Sequence, residues 1–405
     1  MHRLSQEDGI LRKTLSATGQ ALLACPSILG GNMIDPNLPY NELPLISSLD
    51  LEISEPIRKL AEDTRVAIEV LNYAVKTLPS PDLLLDTLAL QEARASSNIE
   101  NIVTTNDDLY RGVVFEDYTA EAKEVDNYKT ALFIGYNSMQ ERNGVLGIGN
   151  IEEINSCVNK KQTGVRRNLQ GFGEVTQIAR IQDGMKTVLY TPPDDFETIN
   201  TLLLDMLEYV FDDESYDLHP LIKIALAHYQ FECIHPFRDG NGRTGRILNI
   251  LFLCNKGYLT YPILYASSYI IQNKGEYYRL LQATRDMNEY EPIIEYMLTS
   301  FKATAERTLR IVESIKAMIE RYTTDAFLES VKGQKETMRD AVDLIFRKVY
   351  VRIKDLTDKG IHRQTASVYL DRFVDAGLLE KEKIGRDNIY KNVKLLALFE
   401  NDGKE

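Results

Sequence analysis

Apolar residues recur at helical spacing over most of the chain. The first clear run begins at Pro56, where Ile57, Leu60, Ala61, Val66, Ile68 and Leu71 follow the three- and four-residue rhythm of one helix face. Ser80-Pro81-Asp82 supplies a cap, a first-turn proline and an acid at the positive end of the dipole. The helix it starts is carried by Leu83, Leu84, Leu88 and Ala95 towards Glu100. Further helical patterning fills 117–140, 150–161, 197–210, 220–233, 246–255 and 276–299. A long amphipathic stretch with Leu309, Val312, Ile315, Ile319 and Tyr322 predicts a connecting helix. One segment departs from this period. Val175, Ile178, Ile181 and Val188-Leu189-Tyr190 flank Asp183-Gly184, which predicts a β-hairpin closed by Thr191-Pro192-Pro193. Residues 1–55, rich in Pro, Asn and Gly, read as an extended arm on the body.

The C-terminal part has its own grammar. Helices are predicted over 338–348, 353–359 and 362–376, then Gly377-Leu378-Leu379 and a two-stranded wing around Gly385-Arg386-Asp387-Asn388. That order resembles a winged helix-turn-helix. The fold class expected is therefore all-α, with one small hairpin and this C-terminal unit.

Length and composition set limits. A chain of 405 residues, 44% hydrophobic and 26% charged, is long enough for two or three globular domains. The net charge of −13 argues against general avidity for nucleic acid or anionic lipid. From 336 to 405, 14 Lys and Arg stand against 13 Asp and Glu, so the acidity lies elsewhere. Arg363, Gln364, Thr365 and Ser367 on the third helix of this unit are the residues that would reach a DNA groove. The near-neutral balance favours a protein-contact or autoregulatory role over DNA. No apolar run is long enough to span a membrane. Cys25, Cys157, Cys233 and Cys254 show no metal or redox spacing, which fits a reducing cytoplasm. Leu22-Leu23-Ala24-Cys25 imitates a lipoprotein cleavage box, but the polar residues before it make a poor leader.

Chemistry concentrates in His235-Pro236-Phe237-Arg238-Asp239-Gly240-Asn241-Gly242-Arg243-Thr244-Gly245-Arg246. Apolar helices lie on both sides. Three glycines allow positive φ and close backbone approach, and the loop runs into a helix start with free N–H groups. Arg243 and Arg246 are three apart, on one face of that first turn. Such a place takes a polyanion, most plausibly a nucleotide di- or triphosphate. The literal G-x-G-x-x-G at 240–245 lacks the preceding strand and following acid of a dinucleotide fold. No Asp or Glu occurs from 240 to 275, which keeps the local field positive. Asp239 is the one carboxylate of the loop, and one carboxylate plus substrate phosphates is a usual way to hold Mg²⁺. A neutral imidazole at His235 is placed to take a proton from an attacking hydroxyl. His228, on the apolar helix, reads as structural, and His219 as a helix cap.

This segment resembles the Fic family signature, HPFx[D/E]GNGRxxR, at every specified position. The resemblance extends through His219-Pro220-Leu221 and Tyr229-Gln230-Phe231-Glu232 to Tyr277-Tyr278, and covers about 80–300. It implies transfer of AMP from ATP to a Ser, Thr or Tyr hydroxyl of a target protein, the chain itself included. It implies His235 as general base and Asp239 as Mg²⁺ ligand. By the same likeness Gly240, Asn241, Gly242 and Arg243 hold the α- and β-phosphates, within a nucleotide-binding run that includes Thr244 and Gly245. Arg246 holds the γ-phosphate, and Tyr277 and Tyr278 lie near the nucleoside. The hairpin at 178–190, with Arg180, Ile181, Gln182 and Asp183, looks like the family's flap and would pair main chain to main chain with the target.

Ser96-Ser97-Asn98-Ile99-Glu100-Asn101 resembles the family's [S/T]xxxE[G/N] inhibitory motif, with Ser96, Glu100 and Asn101 at its specified positions. A carboxylate at the end of a helix is poorly placed against the dipole and better satisfied by a guanidinium, for which Arg246 is the implied partner. The division expected is 1–79 N-terminal arm and helices, 80–116 inhibitory region, 117–300 Fic domain, 301–335 connecting helix and 336–405 winged-helix-like domain. The family's habit of pairing makes a homodimer a further expectation. Removal of AMP, phosphoryl transfer at the same site, and a nucleotide-sensing DNA-binding regulator are the alternatives.

Overall fold

The computed structural model describes residues 34–78, 82–167, 176–182, 185–330, 334–384 and 387–400. The arm reading of 1–33, the Ser80-Pro81 cap, and the turn residues 183–184 and 385–386 lie outside the described residues. From Ile34 the chain runs irregularly, with one short 3-10 turn at Ile46–Ser48, and buries Leu43, Ile46 and Ile53. The Pro44 carbonyl accepts from Gln230 Nε2 at 2.9 Å, which ties this segment to the core.

Helices then follow one another. α1 (Glu55–Lys76) starts with a proline in its first turn and buries Ile57, Ala61, Ile68, Leu71 and Val75 on one face. α2 is Asp82–Ile99 and α3 Asn106–Phe115. α4 is Ala120–Glu141 and α5 Ile148–Asn159. The strands β1 (Ile178–Gln182) and β2 (Met185–Tyr190) pair antiparallel, bringing Gln182 opposite Met185. α6 is Phe196–Phe211, capped by Asp195. α7 (Pro220–Ile234) and α8 (Asn241–Asn255) are buried almost throughout and form the centre. α9 (Ser267–Gln272), α10 (Lys274–Met287) and α11 (Glu291–Thr323) follow.

The C-terminal elements are α12 (Asp325–Ser330), α13 (Lys335–Arg347), β3 (Tyr350–Arg352), α14 (Ile353–Thr357), α15 (Arg363–Asp375), β4 (Leu379–Ile384), β5 (Asp387–Asn392) and α16 (Val393–Glu400). They enclose a three-stranded antiparallel sheet in the order β3-β5-β4. Polar contacts join this unit to α3. Asp107 accepts from Tyr350 Oη at 2.6 Å and Lys391 Nζ at 3.0 Å, and Arg111 reaches Glu382 at 2.8 Å.

The fold class is as expected: mostly helical, with two small antiparallel sheets. Five local readings need correction. α3 was not expected; Thr105 caps it by accepting from Asp108 N at 3.1 Å. The 276–299 pattern is two helices, because Asn288 turns left-handed (φ 55°) and Pro292 begins a new helix. The second of them runs unbroken to Thr323, so the helix expected from 301 is its continuation. β3 also went unseen, a strand too short to show alternation. Finally, α8 starts at Asn241 rather than 246, so Gly242 and Gly245 lie inside a helix.

Candidate active site

The site is built on the turn between α7 and α8. α7 ends at His235, whose left-handed backbone (φ 48°) stops the helix and turns the chain. Asn241 closes the turn on itself: its Oδ1 accepts from Phe237 N and its Nδ2 donates to Phe237 O, both at 2.8 Å. Its side chain is thereby committed to the turn, and its main-chain N–H stands at the start of α8. Gly240 takes φ 75°, the one glycine of the loop that uses positive φ. The first N–H bonded within α8 belongs to Thr244, to Gly240 O at 2.9 Å. The N–H groups of Asn241, Gly242 and Arg243 are therefore open at the positive end of the helix.

Side chains from far along the chain hold this turn in place. Asn155 Nδ2 donates to Asp239 O at 2.9 Å and Thr244 Oγ1 at 3.1 Å, and Asn159 Nδ2 donates to Asp239 O at 3.1 Å. Buried Arg166 reaches the carbonyls of His235 (2.8 Å), Ile234 (3.2 Å) and Pro193 (2.7 Å). Burial pulls that guanidinium down to about 10.

His235 is half-buried. Burial and then the Arg166 charge pull its imidazole down to about 4, so it is neutral at pH 7. Its Nδ1 is buried without a hydrogen-bond partner. The main-chain carbonyl of Glu232, one turn back, favours a proton on the ring. His228 is structural in geometry: Nε2 meets Tyr277 Oη at 2.8 Å and Nδ1 meets Asn249 Nδ2 at 3.1 Å. Burial pulls it down to about 3, and it stays neutral. His219 caps α7 by accepting from Leu221 N at 3.2 Å.

The two arginines do not converge as expected. Arg243 turns to α4 and α5, with Glu124 at 3.0 Å, Asn159 Oδ1 at 3.2 Å and Asp239 at 3.7 Å. Arg246 turns to α2. Its Nε donates to Ser96 Oγ at 2.8 Å, and its Nη2 donates to Ser96 O at 3.0 Å and Glu100 Oε1 at 2.8 Å. Three residues at about 100° each leave a stagger of about 60°, enough to aim long side chains at different neighbours. Burial pushes the Glu100 carboxyl up, but Arg246 outweighs it, with help from Arg243 and His235, and holds the group below its ordinary value. Gly242 admits Glu100, since a Cβ there would lie 2.5 Å from Oε1. Asn101 ends α2 in the left-handed region (φ 65°), which asparagine and glycine accept most readily.

Of the paired tyrosines, Tyr277 is 1% exposed and packed on His228 and Tyr296, so it offers no surface to a nucleoside. Tyr278 is 40% exposed and feels the charges of Glu100 and Arg246. The hairpin is rooted close to His235 in the chain: Tyr190 Oη donates to Cys233 O at 3.0 Å, two residues before it. Arg180 is exposed, and the side chains of Ile181 and Gln182, with all of Asp183, lie outside the described residues. The sheet contains only β1 and β2, so each strand has an open edge among the described residues. Asp239 sits at the lip with its side chain 61% exposed, and its Oδ1 accepts from Gly240 N at 2.7 Å. Among the described residues no cluster of three His, Cys, Asp or Glu is able to hold a metal by itself.

Comparison with known proteins decides the relationship. The family model described as Fic/DOC family matches residues 153–253, and that described as Fic/DOC family N-terminal matches 58–137. The chain belongs to the Fic/DOC family. A third model, the C-terminal domain of protein adenylyltransferase SoFic-like, matches 324–395. The protein adenylyltransferase fic-1 of Caenorhabditis elegans is 24% identical over 189 residues, 44% of this chain and 36% of its own. The protein adenylyltransferase Fic of Drosophila grimshawi is 28% identical over 258 residues, 61% of this chain and 52% of its own. The chain thus spans about a third to a half of the length of these relatives. A Fic family protein from Desulfovibrio desulfuricans G20 shares the fold at a TM-score of 0.52 and 20% identity, over 84% of this Fic chain and 97% of that one. No helix among the described residues is long and apolar enough to cross a membrane.

Sequence reasoning missed Asn155, Asn159, Arg166 and Glu124 around this site. The two asparagines, four apart on α5, were the only visible sign, and nothing pointed to their partner.

Proposed function

We propose that this Fic protein transfers AMP from ATP to a Ser, Thr or Tyr hydroxyl of a protein, and that Glu100 holds the reaction off by occupying Arg246. One observation carries this reading: the 2.8 Å Arg246–Glu100 pair stands beside three open N–H groups and a neutral imidazole. The relatives' names, protein adenylyltransferase, point the same way.

The groups have distinct tasks. The N–H groups of Asn241, Gly242 and Arg243 bind the phosphates, and the helix dipole adds to their pull. Arg246 binds the γ-phosphate once Glu100 withdraws, which directs the α-phosphorus at the incoming hydroxyl. With the ring proton on Nδ1, Nε2 of His235 is the acceptor. The hydroxyl gives its proton to Nε2, its oxygen bonds to the α-phosphorus, and the bond to pyrophosphate breaks. The target lies along an open edge of the β1–β2 hairpin, where main-chain pairing sets its hydroxyl near His235. Lone, exposed Asp239 suits Mg²⁺, which keeps most of its shell as water and substrate oxygen. Bound there, the ion would supply charge neutralisation at the phosphates.

We read 336–405 as a winged-helix-like module for protein contact or autoregulation. Its ties to α3, the helix next after Glu100, support that role over DNA binding. The free Cys157, Cys233 and Cys254 fit a cytoplasmic setting, and a homodimer remains part of this reading.

Labelled ATP and the Glu100→Gly chain test the proposal. Label from the α-phosphate and not the γ-phosphate is expected on protein, seen as added AMP by intact mass. Label from the γ-phosphate alone would replace it with kinase chemistry. Loss of pre-attached AMP without any addition would replace it with the reverse reaction.

A further inference from the structure

α7 is apolar along most of its length, and Glu232 interrupts it one turn before His235. The residue is 9% exposed, and its Oε1 is buried without a hydrogen-bond partner. An ionised carboxylate is strongly disfavoured in such a place unless a cation compensates it. Oε1 lies against α8 at Gly245, where an added Cβ would stand 3.0 Å from it and 3.0 Å from the Phe231 ring. Gly245 is inside a helix without positive φ, so its backbone has no need of glycine. The room it leaves is taken by Glu232 and Phe231. The next residue along α8 is Arg246.

The charges around Glu232 come from every element packed on it. Arg246 of α8 and Arg285 of α10 favour its ionised form, and Glu100, in the turn just after α2, opposes it. Tyr277 of α10, with its hydroxyl on His228, its neighbour Tyr278, Cys233 of α7 and His235 are the neutral titratable neighbours. Burial pushes the Glu232 carboxyl up to about 7; Arg246 opposes this and Glu100 adds to it. Glu92 of α2, itself buried, also feels this guanidinium, and of the three carboxyls the one that holds a hydrogen bond to it is Glu100.

We propose that Glu232 is a reserve counter-ion for Arg246, holding a proton while Glu100 or a γ-phosphate faces that guanidinium and releasing it when neither does. The inference rests on the nucleotide reading of the site only for the γ-phosphate arm. When Glu100 leaves, the neutral carboxyl gives one proton to solvent and the resulting carboxylate compensates Arg246 from behind. When a γ-phosphate arrives, the carboxylate takes one proton back. Glu232 is thus a positioning residue: it keeps a buried cation in place between the braked and loaded states and touches no substrate.

The test is proton linkage. The full-length Glu100→Gly chain is titrated by calorimetry with a non-transferable Mg²⁺-ATP analogue at pH 6, in two buffers of different ionisation enthalpy. Uptake approaching one proton per analogue is expected, and it should vanish in Glu100→Gly/Glu232→Gln while the analogue still binds. ADP should bind without uptake. Equal uptake in both variants, or binding without uptake in Glu100→Gly, overturns the inference alone. No binding heat in Glu100→Gly overturns it together with the nucleotide reading. A second measurement guards against a double variant that fails to fold. With Glu100 present, Glu232→Gln exchanges one neutral group for another and should leave the Tm at pH 6 unchanged. A Tm well below the parent's overturns the proposal.

Discussion

The two walls of the proposed phosphate site are built differently. On one side, α5 and Arg166 hold the turn through neutral or carbonyl-directed hydrogen bonds made by buried groups, Asn155 and Arg166 among them. On the other, the last turn of α2 presents one carboxylate, 35% exposed, to one guanidinium. The first wall satisfies backbone carbonyls that no ligand would take over. The second makes a bond that a phosphate oxygen is able to replace in kind. A fixed wall and an exchangeable wall on one helix N-terminus separate shape from control.

The largest effect tests what both walls serve. In the Glu100→Gly background, His235→Ala should lower AMP transfer by about 10²- to 10⁴-fold with nucleotide affinity unchanged; steady-state rates and calorimetry check both. Retained transfer would place the base elsewhere. Next comes the exchangeable wall. Glu100→Gly should raise transfer by about 10- to 100-fold, the worth of one charge-assisted hydrogen bond to the γ-phosphate. Adding Arg246→Gln should cancel the gain, and a gain that survives would break the comparison.

The fixed wall should respond in stability instead. Asn155→Ala leaves Asp239 O and Thr244 Oγ1 short of a donor, and is expected to cost about 1–3 kcal/mol in chemical denaturation. It should slow transfer equally with and without Glu100; a selective effect in one background would merge the two walls. A further effect concerns pH. His235 titrates near 4 in the fold and near 6.5 when unfolded. Between those values the unfolded chain holds more protons, so this group's stabilising contribution is full above pH 6.5 and lost as pH falls towards 4. Parent and His235→Ala melting curves should converge towards pH 4, and the acid limb of kcat/KM should lie near 4.

Much of this was legible in the chain. The loop from His235 to Arg246 and the Ser96–Asn101 run are local, and their chemistry follows from residue type and spacing. The pairing of Glu100 with Arg246, 146 positions apart, was reached only through a family likeness. What escaped was set by packing. The direction of Arg243 depends on Glu124 and Asn159, and the burial of Tyr277 depends on His228 and Tyr296. Helix boundaries failed where a single residue decided them, as Asn288 did by turning left-handed.

The bond from Tyr190 to the Cys233 carbonyl fastens the hairpin to the same stretch of backbone that ends in His235. Any strand laid along that hairpin inherits its distance to the imidazole as a ruler inherits its zero. Edge pairing reads peptide groups and ignores the side chains that distinguish one protein from another. On the proposed reading, choice among clients would fall to surfaces away from the rail, and the unit at 336–405 is the place to seek selectivity.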